Sequence, residues 1–243
     1  MELTAIREQQ IARNQKTKNN WHRGKSHRDH VTSLLSQHSP SSLLRSFGAG
    51  NCNDLDLNKL SREYTTIELV DIDLVAMQGA IEQQGVQAKD GMRLVGDTDL
   101  SKSSFSPERL ADTTISSCLF TQLLEQQPIE VSNHRDGIVT FRAAHLNMLL
   151  STTKPGGTVY FVTDIVSNLT APQLKSIPKE QLNGFLSNSI NKRNFFTGTN
   201  PFATLQHLKS DPRVARATLL DAWKWKLGPR VFAVYGIQAE IKS

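Results

Sequence analysis

Three stretches of this sequence have the residue types and spacing to hold a nucleoside. The first is Phe47-Gly48-Ala49-Gly50, where a short apolar run ends in Gly-x-Gly. Glycine reaches positive φ without strain and lets a ligand pass close to the backbone. The second is Val70-Asp71-Ile72-Asp73, where another apolar run ends in carboxylates about twenty residues further on. A carboxylate at a strand tip can accept hydrogen bonds from two ribose hydroxyls. The third is Val95-Gly96-Asp97-Thr98, with a carboxylate again at the tip of a strand-like run. Gly-x-Gly alone is common and also serves tight packing. Followed by Asp71 and Asp97 at successive strand ends, it points to a ligand at the carboxyl edge of a parallel sheet. A nicotinamide dinucleotide turn would want another glycine where Asn53 stands.

The elements that must position these residues alternate. Strands are expected at 43–47, 66–71, 91–95, 113–117 and 158–163. Helices are expected near 53–60, from Asp73 to Gln84 with Gly85 ending it, from Leu119, and from Arg135 to Ser151. Strands separated by helical patterns imply a parallel sheet with helices on both faces. Asp73 suits the N-cap of the helix after it, and Asp54 and Asp56 suit a first helical turn. Upstream, Met1 to Asn20 reads as polar helix, and Ser26 to His38 as a better one with Ser26 as N-cap and Val31, Leu34 and Leu35 on its apolar face. Downstream, Val214 to Lys226 and Arg230 to Glu240 alternate around Leu227-Gly228-Pro229 and read as a closing β-hairpin. The expected division is therefore a helical extension over 1–40 and a main domain over 41–243, within which 164–211 is an irregular insertion.

The chain has 243 residues, a net charge of +5 and a pI of about 9.3. Seven of its basic residues fall between Arg7 and Arg28, an arm that either binds nucleic-acid phosphates or forms a solvated helix face. No aromatic RNA-binding motif accompanies it. No apolar run approaches the ~18 residues of a membrane span, and Met1 to Gln10 has no signal-like apolar stretch, so a cytoplasmic protein is expected. Cys52 and Cys118 are too few for a disulfide framework, and no Cys/His spacing predicts a metal.

The order of motifs resembles the class I S-adenosylmethionine-dependent methyltransferases of the Rossmann-like superfamily. The resemblance covers residues 40–165 by motif and 213–240 by topology. It implies an α/β fold, a three-layer αβα sandwich whose seven-stranded, mostly parallel sheet carries one antiparallel strand in a C-terminal hairpin, with helices added at the N-terminus. It implies S-adenosylmethionine as cofactor and S-adenosylhomocysteine as product. In that likeness Gly48, Ala49 and Gly50 lie under the methionine portion, Asp71 and Ile72 meet the ribose, Asp97 and Thr98 meet the adenine, and Ser117 and Cys118 line the cofactor near its sulfur. Lys154-Pro155-Gly156-Gly157-Thr158 resembles the turn into the fifth strand. Ser46 stands where the family often has an acidic residue, and Cys52 where it often has a third glycine.

The expected function is methyl transfer to a small-molecule acceptor. The alternatives are a cofactor-binding protein of the same fold without transferase activity, or a nucleic-acid methyltransferase using the basic arm. Gln122, one turn beyond Cys118, is a candidate to orient the acceptor. Asn194 and Phe196 belong to a long polar-aromatic loop, and Trp223 to an aromatic strand face, all three being candidate acceptor contacts. No residue is assigned as catalytic, because in-line methyl transfer can proceed by orientation and desolvation.

Overall fold

The computed structural model describes residues 3–37, 41–86 and 91–243. Two helices, α1 (Leu3–Thr17) and α2 (Lys25–Leu35), precede the sheet. There follow β1 (Ser41–Phe47), α3 (Leu57–Glu63), β2 (Tyr64–Val70), α4 (Leu74–Gln84), β3 (Met92–Val95) and β4 (Ala111–Ser117). Then come α5 (Phe120–Glu125), α6 (Ile129–Ser132), α7 (Arg135–Ser151) and β5 (Thr153–Ser167). The insertion carries α8 (Leu182–Asn191) and α9 (Pro201–Ser210), and the chain closes with β6 (Val214–Leu219), β7 (Trp223–Leu227) and β8 (Arg230–Ile241).

The strands form one sheet in the order β3-β2-β1-β4-β5-β8-β6, with β7 also paired to β8. Strands β1 to β5 run parallel, and β8 is antiparallel to β5, β6 and β7. This is the expected architecture, with one addition. The run from Val214 to Leu227 divides into two strands along the same edge of β8. Leu219 faces Ile237 and Trp223 faces Val234, so Leu220, Asp221 and Ala222 stand opposite Tyr235 and Gly236 alone. The bulge is held by Asn183 of α8, which donates to Asp221 Oδ1 (2.8 Å) and accepts from Ala222 N–H (3.0 Å). The expected hairpin is β7 with β8, turning at Leu227↔Arg230.

Local rules account for the helix ends near the sheet's carboxyl edge. Asp73 caps α4 by accepting from Ala76 N–H, and Gly85 ends it at φ 64°. Asp56 caps α3 by accepting from Lys59 N–H. Asp54 stands apart from that helix and faces a cavity, a departure from its expected first-turn role. Gly24, not Ser26, is the N-cap of α2.

Two apolar clusters fill the two sides of the sheet. One joins α5 and α7 to β5 and β8 through residues such as Phe120, Leu149 and Phe161; the other joins α2, α3 and α4 to β1 and β2 through Leu35, Leu60 and Met77. Between them, Arg45 of β1 is fully buried. It pairs with its cross-strand neighbour Glu68 of β2 and donates to the carbonyls of Thr152 (2.8 Å) and Arg109 (2.7 Å). Removing Arg45 leaves the buried Glu68 with the partly exposed Arg93 of β3 (3.2 Å) as its remaining ion-pair partner, in a medium that solvates it poorly. Arg45→Met is therefore expected to cost about 3 kcal/mol in denaturant unfolding, and Arg45→Met with Glu68→Leu is expected to recover at least half of that. A single variant as stable as the double variant would contradict this.

Candidate functional site

A cavity of about 940 Å³ lies at the carboxyl ends of β1, β4 and β5. Its floor is the Ser46–Leu55 turn after β1, and one wall is built from Ser117, Cys118 and α5. The tip of β5 contributes Asp164, α1 contributes Arg13 and Asn14, and Phe196, Trp225 and Phe232 close the far side. The size is within the range of roughly 300–1,000 Å³ typical of cofactor and ligand sites.

The floor takes its shape from glycine. Gly48 and Gly50 have φ of 69° and 44°. A Cβ at Gly48 would lie 2.6 Å from Leu119, so this glycine is also required by packing. Gly50 N–H donates to Asp71 Oδ2 and Asp73 N–H donates to Asp71 Oδ1, each at 2.9 Å. Asp71 thereby ties the glycine turn to the tip of β2. Burial pushes its carboxyl up to about 6, against the pull of these backbone donors.

Helix α1 lies across the same end of the sheet. Asn14 donates to Asp73 Oδ2 (3.0 Å), Asn51 donates to Asn14 O (2.7 Å), and Asn53 donates to Thr17 O (3.0 Å). Arg7 pairs with Asp97 (2.7 Å) and Arg13 with Glu125 (2.8 Å). A Cβ at Gly50 would meet Asn14 Oδ1 at 3.0 Å, so Asn14 sits directly over the glycine turn. Of the residues expected to hold a cofactor, Gly48, Ala49, Gly50, Ser117 and Cys118 line the cavity. Asp71, Ile72, Asp97 and Thr98 stand outside its walls. The cavity thus gathers the β1 and β4 candidates, while α1 lies over Asp73 and Asp97 at the ends of β2 and β3.

Beside the glycine turn, α2 places His27 against the strand ends. Trp223 Nε1–H donates to His27 Nδ1 at 2.9 Å, and Trp225 stacks on the ring at 4.8 Å. An indole can only donate, so the imidazole N–H lies on Nε2. Nε2 faces Asp54 Oδ1 at 3.5 Å and Cys118 Sγ at 4.0 Å. Ser117 Oγ donates to the other oxygen of Asp54 at 3.0 Å. His27, Asp54 and Cys118 have ligand atoms within 4.8 Å of one another, a trio able in composition to hold a metal. The Trp223 bond argues against it, because a proton occupies the nitrogen that would have to coordinate. Burial first, then the charges of Asp54 and Asp164, push the Cys118 thiol well up, so it is a poor nucleophile.

Asp164 is the second carboxylate of the wall. It is 8% exposed, accepts from Thr121 Oγ1 at 3.0 Å, and burial pushes its carboxyl up to about 6. Neither Asp54 nor Asp164 has an arginine or lysine partner among the described residues. Of the cavity's own guanidinium groups, Arg13 pairs with Glu125 and Arg230 lies over the Phe232 ring of the wall at 5.1 Å.

The candidate acceptor residues separate. Gln122 and Phe196 line the cavity. Gln122 donates to Cys118 O at 2.9 Å, and Phe196 N–H donates to Ile165 O at 2.7 Å. Asn194 instead donates to Thr170 O at 3.1 Å, away from the cavity, and Trp223 is buried against His27 behind the wall. Reasoning from sequence missed Asp54, Asp164 and His27 as a group. Asp164 carried the same signal as Asp71, a carboxylate ending an apolar strand. His27 was legible only as a residue of the helix before the sheet that could fold over the pocket, and its partners, far away in sequence, were not. His145 is fully buried against Ser116 Oγ at 3.0 Å.

No family model matches the chain, and a search of curated proteins finds no match. Solved structures do resemble it. The N-methyltransferase NodS from Bradyrhizobium japonicum, with bound S-adenosyl-L-homocysteine, aligns with a TM-score of 0.54 at 12% identity, over 90% of this chain and 87% of that one. A SAM-dependent methyltransferase from Methanosarcina mazei aligns at 0.54 and 11% identity, over 87% and 98%. Magnesium protoporphyrin IX methyltransferase from Synechocystis aligns at 0.53 and 12% identity, over 94% and 86%. The fold is that of the class I methyltransferases. No helix among the described residues is long and apolar enough to cross a membrane.

The wall carboxylate Asp164 has a consequence for stability. An aspartate whose folded value lies near 6, against an ordinary 3.8, binds its proton more readily in the folded state. Its penalty is absent below the ordinary value, grows between the two, and is complete above pH 6, where it reaches roughly 3 kcal/mol. Asp164→Asn, which keeps an acceptor for Thr121, is expected to raise the melting temperature at pH 8 and to leave it nearly unchanged at pH 4. An equal effect at both pH values would rule out a buried, unpaired carboxylate.

Proposed function

We propose that the protein is an S-adenosylmethionine-dependent methyltransferase that acts on a small-molecule acceptor and releases S-adenosylhomocysteine. The observation that carries this reading is the glycine turn locked to Asp71 at the edge of a cavity, on a sheet of this strand order. In it the cofactor supplies an activated methyl group on a sulfonium. The backbone of Gly48 to Gly50, with Ser117 and Cys118, would hold the methionine portion. Asp71 and Ile72 would hold the ribose, and Asp97 and Thr98 the adenine. A carboxylate has about four acceptor sites, and the two backbone donors on Asp71 leave some for ribose hydroxyls.

Two consequences follow from the geometry. The nucleoside can enter only when α1 yields, with Arg7 releasing Asp97 and Asn14 releasing Asp73. The acceptor then occupies the side of the cavity formed by Phe196, Trp225 and Phe232, where exclusion of water and orientation can do much of the catalytic work. A small acceptor is favoured over a nucleic acid because Arg7, Arg13 and Arg28 of the basic arm are held on the body, which leaves Lys16, Lys18, Arg23 and Lys25 as its other, exposed charges. Arg7, Arg13 and Lys25 are paired with carboxylates, and Arg28 is buried over the Trp21 ring at 3.6 Å.

Calorimetry is expected to detect binding of both S-adenosylmethionine and S-adenosylhomocysteine, weakened at least about tenfold in Asp71→Ala. No binding at millimolar cofactor, or an unchanged affinity in the variant, would overturn the reading. A screen with labelled methyl donor then distinguishes a transferase from a binding protein. In stopped-flow experiments, Arg7→Ala combined with Asn14→Ala is expected to raise the cofactor association rate about threefold or more, by enlarging the population with α1 displaced. A slower association would mean that α1 helps to bind the cofactor instead of obstructing it.

A further inference from the structure

Asp54, Asp164 and Cys118 stand in the wall of one cavity, and both carboxylates act on the Cys118 thiol. What surrounds them supplies hydroxyls and one imidazole N–H, from Ser117, Thr121 and His27. Hydrogen bonds from neutral groups soften the burial of a carboxylate but leave its charge uncompensated. Three aromatic rings, Phe196, Trp225 and Phe232, share the cavity. Arg230 already rests on the Phe232 ring, so this wall attracts cations. Asp164 and Asp54 have no direct arginine or lysine pair among the described residues, Asp54 feeling only the more distant charge of the buried Arg28, and with the aromatic wall they form a site for a positively charged occupant.

Resting on the methyltransferase reading above, we propose that the acceptor is a cationic amine whose ammonium lies between Asp54 and Asp164 and whose apolar body lies along Phe196, Trp225 and Phe232. The cofactor's own sulfonium is the other possible source of positive charge. The amine is favoured by position. Asp164 belongs to β5, faces Val234 of β8, and adjoins the residue whose carbonyl accepts from Phe196 N–H, whereas the glycine turn lies on the β1 side. Asp54, held on one oxygen by Ser117 Oγ and with its other oxygen 3.5 Å from His27 Nε2, orients the ammonium.

The transfer balances without another reagent. The ammonium gives one proton to the Asp164 carboxylate, which exposes the nitrogen lone pair. That lone pair attacks the sulfonium methyl; the N–C bond forms as the C–S bond breaks, and the C–S electron pair remains on sulfur. The product is a methylated ammonium, so the positive charge passes from sulfur to nitrogen. The raised affinity of Asp164 for a proton suits it to this exchange.

The test uses the full chain and three probes: phenethylamine, benzyltrimethylammonium and the uncharged 3-phenylpropan-1-ol. Binding is measured with and without saturating S-adenosylhomocysteine, and the affinities for S-adenosylmethionine and S-adenosylhomocysteine are measured separately. The wild-type protein is expected to prefer the two cations to the alcohol by about tenfold or more. Asp164→Asn and Asp54→Asn should each remove most of that preference and leave both cofactor affinities within about twofold. Two isosteric variants at separate positions guard against one of them failing to fold. If the variants instead lose the preference for the sulfonium cofactor over its neutral product, the carboxylates serve the cofactor and the proposal fails. It fails also if wild type shows no preference for charge, or if the preference survives both variants. Preference for the cations without any cofactor binding would retain the cation site and reject the methyltransferase reading.

Discussion

The hydrogen bond from Trp223 to His27 joins residues 196 positions apart and closes the site from behind. It brings α2, near the start of the chain, against β7, near its end. Because the indole can only donate, the bond also decides which imidazole nitrogen carries the proton, and therefore what His27 can offer. His27 presents a donor toward Asp54 and no lone pair toward a metal. The stacking of Trp225 on the same ring keeps the imidazole in plane, so its direction is a property of the fold and not of a flexible side chain. Asp54 inherits that direction through His27 and Ser117.

A second constraint acts at the opposite corner. Asp71 is shared between the glycine turn and the start of α4, and its two backbone hydrogen bonds keep the ends of β1 and β2 level. Below them, the Arg45–Glu68 pair fixes the same two strands in the interior. Polar groups, not only apolar packing, thus set the register at the edge where a ligand would lie. A one-residue slip would turn Arg45 out of its buried position and carry Gly48 and Gly50 out of line with Asp71.

Much of this was legible in the sequence. Strand and helix order followed from hydrophobic period and turn residues, which are local signals. The α4 cap at Asp73 and its stop at Gly85 followed for the same reason. The division of the last ascending run into β6 and β7 was not legible, because it depends on Asn183 of a distant helix. The site was legible on its β1, β2 and β4 edges, where glycine and aspartate mark strand tips. The position of α1 was not, since its contacts with Asp73, Asp97 and Glu125 are polar and leave no period in the sequence. The pairing of Asp54 with His27 was hidden likewise, because ordinary capping preferences gave Asp54 a sufficient local role.

The way α1 is attached has a thermal consequence. Its described contacts with the body are chiefly hydrogen bonds and ion pairs, so lifting it would expose much less apolar surface than melting a core helix. Heat capacity follows apolar exposure, so the balance between the seated and lifted helix should curve only weakly with temperature. Its response to salt should be larger, since two of the attachments are partly exposed ion pairs that dissolved ions screen. Ionic strength, more than warmth, would govern how often the nucleoside end of this sheet is open.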